Sequence, residues 1–96
     1  MDLAQKLKIE RQRILQIAAT YGASNVRVFG SVARGDFRED SDIDFLVDLE
    51  PGRSLFDLGG LLMDLQDLLH RKVDVGTVKM LRREIKDEVL QEAIPL

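Results

Sequence analysis

The chain has 96 residues, with 14 basic and 17 acidic side chains, a formal net charge of −3 and no cysteine. Hydrophobic residues make up 45% of it, which is enough for a core and excludes a disordered or low-complexity chain. The lack of cysteine excludes disulfides and thiolate metal sites. No apolar run approaches the ~18 residues of a membrane span, and the mild acidic balance argues against direct nucleic-acid binding. We therefore expect a single cytoplasmic domain over residues 1–96.

The first third of the chain predicts a helix, a strand and a turn. Apolar residues recur at three-, four- and seven-residue spacing over residues 3–21, which is typical of an amphipathic helix. Gly22 offers a C-terminal stop. Residues 25–29 alternate like a half-buried strand, and residues 30–35 predict a tight turn that leads into one helical turn.

The middle of the chain predicts a second strand and a long helix. Residues 43–49 form an apolar run closed by Pro51, and Ser54 with Asp57 three residues later resembles a helix capping box. A helix over residues 55–70 follows. Its apolar stripe is expected to lie in the core: Leu55, Leu58, Leu61, Leu62, Leu65, Leu68 and Leu69.

The last third predicts a short strand over residues 73–76 and a helix over residues 81–90, with Pro95 ending regular structure. Three strands separated by helices predict an α/β fold with a small mixed sheet of three or four strands. The second and third strands are joined through a helix, so we expect them to be parallel with a right-handed crossover.

A Gly30-Ser31 turn follows the first strand. Backbone N–H groups at a helix start can bind phosphate oxygens, and glycine allows close approach to the backbone. The same dipeptide is also an ordinary turn, so alone it is a weak indication.

Two carboxylates, Asp42 and Asp44, stand two residues apart at the start of the second strand. Strand side chains alternate, so both are expected on the same side of the sheet. Two adjacent carboxylates favour a bound cation, and Mg²⁺ typically takes one or two of them together with substrate phosphates. The alternative is a solvated strand edge.

A third carboxylate, Asp74, stands between Val73 and Val75 in the third strand. A carboxylate in an apolar strand costs free energy unless a partner compensates it, so it could reach the same metal centre. The alternative is an ordinary ion pair with Arg71 or Lys72.

The spacing of these residues resembles a known signature. Gly30-Ser31, ten further residues and then Asp42-Ile43-Asp44 match the GS-x10-DxD pattern of the polymerase-beta-like nucleotidyltransferase superfamily. The wider strings at residues 29–35 and 41–47 are similar to its minimal nucleotidyltransferase branch. Asp74 resembles the third, separately placed acid of that superfamily.

The resemblance implies a nucleotidyltransferase fold and a specific chemistry. Asp42 and Asp44 would hold two Mg²⁺ ions, Asp74 would bind the ion nearer the acceptor and take its proton, and Gly30 with Ser31 would hold the β- and γ-phosphates. AMP would be transferred from ATP to an acceptor hydroxyl.

Two further polar residues have alternative roles. Arg34 could contact a phosphate, or it could hold the following loop by pairing with Asp36, Glu39 or Asp42, and the second role is favoured. Ser41 is expected to cap that loop rather than bind phosphate.

The resemblance also implies a partner. Many members of this branch are antitoxins that act on a HEPN-domain ribonuclease toxin, so we expect a hetero-oligomer in which a toxin tyrosine is AMPylated. A chain this small has little left with which to build a second substrate pocket, which favours an acceptor on another macromolecule. The alternatives are a non-catalytic antitoxin that acts by binding alone and nucleotidyl transfer to a small molecule.

Overall fold

A computed structural model describes residues 2–38 and 40–96. In chain order its elements are α1 (Leu3–Ile9), α2 (Arg11–Thr20), β1 (Ala23–Phe29), α3 (Ser31–Arg34), β2 (Ile43–Leu49), α4 (Leu55–Leu69), β3 (Val73–Gly76), a 3₁₀ helix (Val78–Met80), α5 (Arg83–Glu92) and β4 (Ile94–Pro95). None of the helices in the described parts of the chain has both the length and the apolar character needed to cross a membrane.

The four strands form one mixed sheet in the order β3-β2-β1-β4. β2 and β3 are parallel and are connected through α4, whereas β1 is antiparallel to both β2 and β4. The expected α/β class and the parallel pairing of the second and third strands are therefore confirmed.

The period-two alternation of β2 separates a core face of the sheet from a polar face. Ile43, Phe45 and Val47 are buried in the main hydrophobic cluster, where they join Leu61 and Leu65 of α4. The intervening residues of β2 face the other side, and this opposite face carries the acidic side chains.

The predicted helix over residues 3–21 is wrong in one respect, because it is two helices. The break lies at Glu10, whose φ of −88° and ψ of 4° depart from helical values. Buried side chains stop at Leu7 and resume only at Ile14, so nothing apolar holds the intervening turn against the core. The two helices consequently dock separately.

The capping box before α4 is confirmed. The Ser54 hydroxyl accepts a hydrogen bond from the Phe56 N–H at 3.2 Å, and the Ser54 N–H donates to Asp57 at 3.0 Å. Placing Leu55 in the core was wrong: it is 72% exposed, and the buried face of α4 begins only at Leu58. The helix ends at Leu69, one residue earlier than expected, because the φ of His70 is +53°.

The C-terminal segment also differs from expectation. α5 is shifted two residues later than the predicted range of 81–90, and Pro95 lies in a strand instead of ending regular structure. In that strand Ile94 pairs with Val28 of β1. Proline is tolerated there because β4 is an edge strand, where one N–H needs no partner in the sheet.

Candidate active site

The strand register brings Asp44 and Asp74 side by side. They are Cα partners on the neighbouring parallel strands β2 and β3, so they share the face opposite the core. Asp42 immediately precedes β2, and its side chain is 42% exposed. The three acids singled out in the sequence therefore lie at one end of one sheet face.

The apolar neighbours of Asp74 do not bury it. Val73 and Val75 are buried, but Asp74 is exposed, because alternation turns it away from the core. Its suggested ion-pair partner Lys72 instead lies 3.9 Å from Asp42, with both side chains well exposed. Burial therefore provides no argument for a function of Asp74. The argument is its position beside Asp44.

Asp44 lies where a negative charge is disfavoured. Burial raises the pKa of this half-buried carboxyl above its usual value, and the negative charges of Asp74 and Asp42 raise the pKa further. Arg34 acts in the opposite direction. Because these surroundings disfavour the negative charge of Asp44, a bound cation would stabilise its ionised form.

Gly30 leaves the space that Asp44 occupies. A Cβ on Gly30 would overlap the Asp44 carboxylate oxygen Oδ2, and the Gly30 φ of +71° lies in a region that L residues rarely adopt. Phe29, just before it, is the strand partner of Asp44. Ser31 then begins α3, so the Gly30-Ser31 turn lies directly beside the acids.

Arg34, at the end of α3, pairs with two carboxylates. Its Nε lies 3.3 Å from Asp36, and its Nη1 lies 2.8 Å from Glu92. The expected pairing with Asp36 is confirmed, whereas Glu39 lies outside the described residues. Sequence reasoning missed Glu92, which stands 58 positions after Arg34 and was placed beyond the end of the last predicted helix.

The loop between α3 and β2 is held by its own polar groups. Ser41 accepts a hydrogen bond from the Arg38 N–H at 2.8 Å, which confirms its expected capping role. Arg71 donates to the carbonyl groups of Arg38 and Ser41. These contacts fix the loop that leads into Asp42.

The donor set suits a magnesium ion that arrives with other ligands. Within residues 2–38 and 40–96, no three Asp, Glu or His side chains are grouped closely enough to hold a metal ion by themselves. Mg²⁺ characteristically uses one or two protein carboxylates and completes its octahedron with water and substrate phosphates. The strained Asp44 carboxylate and its neighbours fit that pattern.

Comparison with known proteins identifies the family of the chain. A family model described as a nucleotidyltransferase domain matches residues 7–96, which include every residue of the candidate site. The chain belongs to this nucleotidyltransferase family. The matched range of this nucleotidyltransferase spans both the acidic sheet face and the Gly30-Ser31 turn.

Two archaeal relatives carry more specific names. A Methanocaldococcus jannaschii protein named as a protein adenylyltransferase is 38% identical over 84 residues, which cover 88% of this chain and 90% of the relative. The protein adenylyltransferase MntA of Thermococcus cleftensis is 37% identical over 79 residues, covering 82% and 80% respectively.

Solved structures share the fold. One described as a minimal nucleotidyltransferase superposes with a TM-score of 0.88 at 48% identity and covers 100% of this chain and 97% of its own. A toxin–antitoxin structure with AMP-PNP has a TM-score of 0.74 at 19% identity, covering 88% of this chain and 69% of its own. The second similarity is one of fold alone.

Proposed function

We propose that this nucleotidyltransferase is a Mg²⁺-dependent protein adenylyltransferase that transfers AMP from ATP to a hydroxyl group of a partner toxin. The observation that carries the proposal is the register of β2 and β3, which puts Asp44 beside Asp74 on the face next to Gly30. The names of the two archaeal relatives support protein as the acceptor class. In this proposal residues 1–96 work as one cytoplasmic catalytic domain.

Each site residue has a proposed role. Asp42 and Asp44 would hold two Mg²⁺ ions with Asp74 as a further ligand, and bound Mg²⁺ would stabilise negative charge on the phosphates. Gly30 and Ser31 would contact the β- and γ-phosphates, because the first backbone N–H groups of a helix have no acceptor within it.

The proposed transfer needs one proton acceptor. Asp74 would take the proton of the attacking hydroxyl, since its exposed carboxylate is open to a macromolecular acceptor. The acceptor oxygen would bond to the α-phosphorus while the bond to the bridging oxygen of the β-phosphate breaks. AMP would then be attached to the acceptor, and pyrophosphate would leave.

The motif resemblance supports a specific class of toxin and a specific acceptor side chain. We propose that the acceptor is a tyrosine hydroxyl on a HEPN-domain ribonuclease toxin and that AMPylation neutralises this toxin. The existence of the same fold in a toxin–antitoxin structure with AMP-PNP is consistent with this assignment.

Incubation of the protein with its HEPN partner, MgCl₂ and ATP labelled at the α-phosphate tests the proposal. We expect label on a toxin tyrosine, located by mass spectrometry, and its loss with Asp42→Ala or Asp44→Asn. The matched control is Asp48→Asn, which removes an acid from the same strand face but outside the site. A wild-type protein that leaves the toxin unlabelled, or an Asp44→Asn protein that labels it normally, contradicts the proposal.

The same variants separate catalysis from binding. If folded Asp44→Asn still protects cells that express the toxin, the protein neutralises its partner by binding alone. Label at a residue other than tyrosine would contradict the proposed acceptor and leave the transfer reaction supported.

A further inference from the structure

Glu92 is an acidic residue of the site that the family motif does not include. It is the last residue of α5, its side chain is only 17% exposed, and its Oε1 lies 2.8 Å from Nη1 of Arg34. It is also near enough to Asp44 to raise the pKa of that carboxyl. Its contact with Arg34 joins the end of α5 to α3 beside the candidate site.

The backbone of Glu92 is fixed from both sides. Three residues earlier, Val89 is the buried residue of α5, and the Ala93 N–H donates to the Val89 carbonyl. Two residues later, Ile94 pairs with Val28 of β1, close before the Gly30 turn. Glu92 is therefore an anchored group, and the longer Arg34 side chain reaches to it.

Arg34 has N–H donors that its two carboxylate partners do not use. Its side chain is 54% exposed; Nε contacts Asp36 at 3.3 Å and Nη1 contacts Glu92 at 2.8 Å. The Nη2 amino group makes no hydrogen bond within the described part of the chain. A guanidinium is planar, so two fixed nitrogens determine where the third points.

The two carboxylates contribute unequally to this arrangement. The Asp36 side chain is 62% exposed, whereas that of Glu92 is 17% exposed and makes the shorter contact. Exposed ion pairs contribute little, and a short charge-assisted hydrogen bond that is shielded from water contributes more. Both carboxylates act on Arg34, and Glu92, which is less exposed and makes the shorter contact, is the better fixed of the two.

We propose that Glu92 is a positioning residue that holds the Arg34 guanidinium, so that its Nη2 group is directed to a nucleotide phosphate bound at the Gly30-Ser31 turn. This inference rests on the proposed nucleotide transfer and deepens it. No displacement is required, because Arg34 can keep Glu92 on Nη1 while Nη2 donates to phosphate. Glu92 itself touches neither nucleotide nor acceptor.

The test measures binding of a non-hydrolysable ATP analogue with Mg²⁺ by calorimetry, together with the kinetics of AMP transfer. We expect Glu92→Ala and Arg34→Ala each to weaken binding about tenfold, the effect of losing one charge-assisted hydrogen bond. The two variants should change KM by the same factor as each other, and likewise kcat, since both act through the Arg34 guanidinium. Glu92→Gln keeps an acceptor oxygen and should recover most of the loss.

The double variant provides the decisive comparison. Arg34→Ala combined with Glu92→Ala should bind no more weakly than Arg34→Ala alone, because Glu92 has nothing left to position. The matched control is Glu88→Ala, which removes an exposed acid one turn earlier in α5 and should bind like wild type. Thermal unfolding of each variant identifies losses that come from misfolding.

The possible failures are distinguishable. Tighter binding by Glu92→Ala would mean that Glu92 competes with phosphate for Arg34 and would overturn the inference. Additive losses in the double variant would also overturn it, because they would indicate a separate structural effect. Absence of nucleotide binding by the wild-type protein would refute the proposed function and this inference together.

Discussion

At the residue scale, Gly30 and Asp44 depend on each other. The Asp44 carboxylate occupies the space in which a side chain at position 30 would lie, and the φ of +71° at Gly30 is itself unfavourable for other residues. The glycine of the motif therefore allows the close approach of Asp44, in addition to the phosphate contact proposed for it.

Substitution of Gly30 tests this dependence. We expect Gly30→Ala to lower the free energy of unfolding by about 2 kcal/mol or more and to abolish AMP transfer, because the new Cβ adds a clash to backbone strain. Gly35→Ala is the control: its φ is +80°, but its Cβ would meet nothing within 4 Å, so it should cost only about 1 kcal/mol. Urea denaturation measures both losses, and equal losses would contradict the argument.

Replacement of Asp44 should separate stability from function. Burial and two neighbouring carboxylates oppose the charge on Asp44, so Asp44→Asn should be at least as stable as wild type without Mg²⁺. With Mg²⁺ and a non-hydrolysable ATP analogue present at a hundred times the Kd of their complex, wild type should gain about 2.7 kcal/mol, and Asp44→Asn far less.

Thermal unfolding with and without MgCl₂ checks this expectation. Asp48→Asn should respond to Mg²⁺ as wild type does, because Asp48 is paired with Arg27 at 2.8 Å and lies outside the proposed site. If Mg²⁺ gives wild type no added stability in the presence of the ATP analogue, that result would count against a metal bound by Asp44.

At the element scale, a capping box fixes the start of α4. A hydrogen bond from the Ser54 N–H, followed by the contact with Arg53, lowers the pKa of Asp57 below its usual value. A lowered folded-state pKa means that the ionised form stabilises the fold. The stabilisation is full above the ordinary aspartate pKa of 3.8 and is lost as the pH falls through the lower folded-state pKa.

The capping box therefore predicts a pH-dependent difference in stability. Asp57→Asn should be less stable than wild type at pH 7, and the difference should narrow once the pH falls below 3.8. Ser54→Ala should cost about 1 kcal/mol. Chemical denaturation across this pH range measures the effect, and a pH-independent difference would exclude the charge of Asp57 as its cause.

Elements with strong local signals were predictable from sequence. The bounds of β2 and β3 match the expected ranges of 43–49 and 73–76, because apolar runs closed by turn residues leave little freedom. The break at Glu10 was not predictable, since the residues on either side of it have good helix propensity and only the core decides where each helix docks. β4 consists of two residues that carry no strand pattern of their own.

At the scale of the whole molecule, the sheet separates the hydrophobic core on one face from the candidate site on the other. One face of β2 lies in the hydrophobic cluster, and the opposite face carries Asp44 beside Asp74. Leu46, on this polar face, is also fully buried, so the sheet is covered on both sides near its centre. The acids lie at the end of the sheet, where the cover stops.

Substitution of two phenylalanines tests which packing contacts stabilise the fold. Phe45 is 0% exposed and Phe56 is 91% exposed. We expect Phe45→Ala to lower the free energy of unfolding by about 3–5 kcal/mol and Phe56→Ala to change it by less than about 0.5 kcal/mol. Equilibrium unfolding in urea distinguishes the two, and a large loss for Phe56→Ala would show that the assigned packing is incorrect.

The candidate site was predictable where a local pattern marks its residues, as the motif does for Gly30, Asp42 and Asp44 and the apolar strand does for Asp74. Gly30, Asp42 and Asp44 lie within fifteen positions, and the register then adds Asp74 from the neighbouring strand. Glu92 has no local signal, because it reaches the site only after the chain has passed from β3 at one sheet edge to β4 at the other. Its role depends on topology, which a motif does not encode.

The edge position of β3 also affects how transfer competes with hydrolysis. Asp74 has a neighbouring strand on one side only, and its side chain is open to solvent. Water can therefore reach the same place as an acceptor hydroxyl. In the proposed reaction the partner protein would have to complete the wall of the site and exclude water, so the preference for transfer over hydrolysis would be a property of the docked complex of the two proteins.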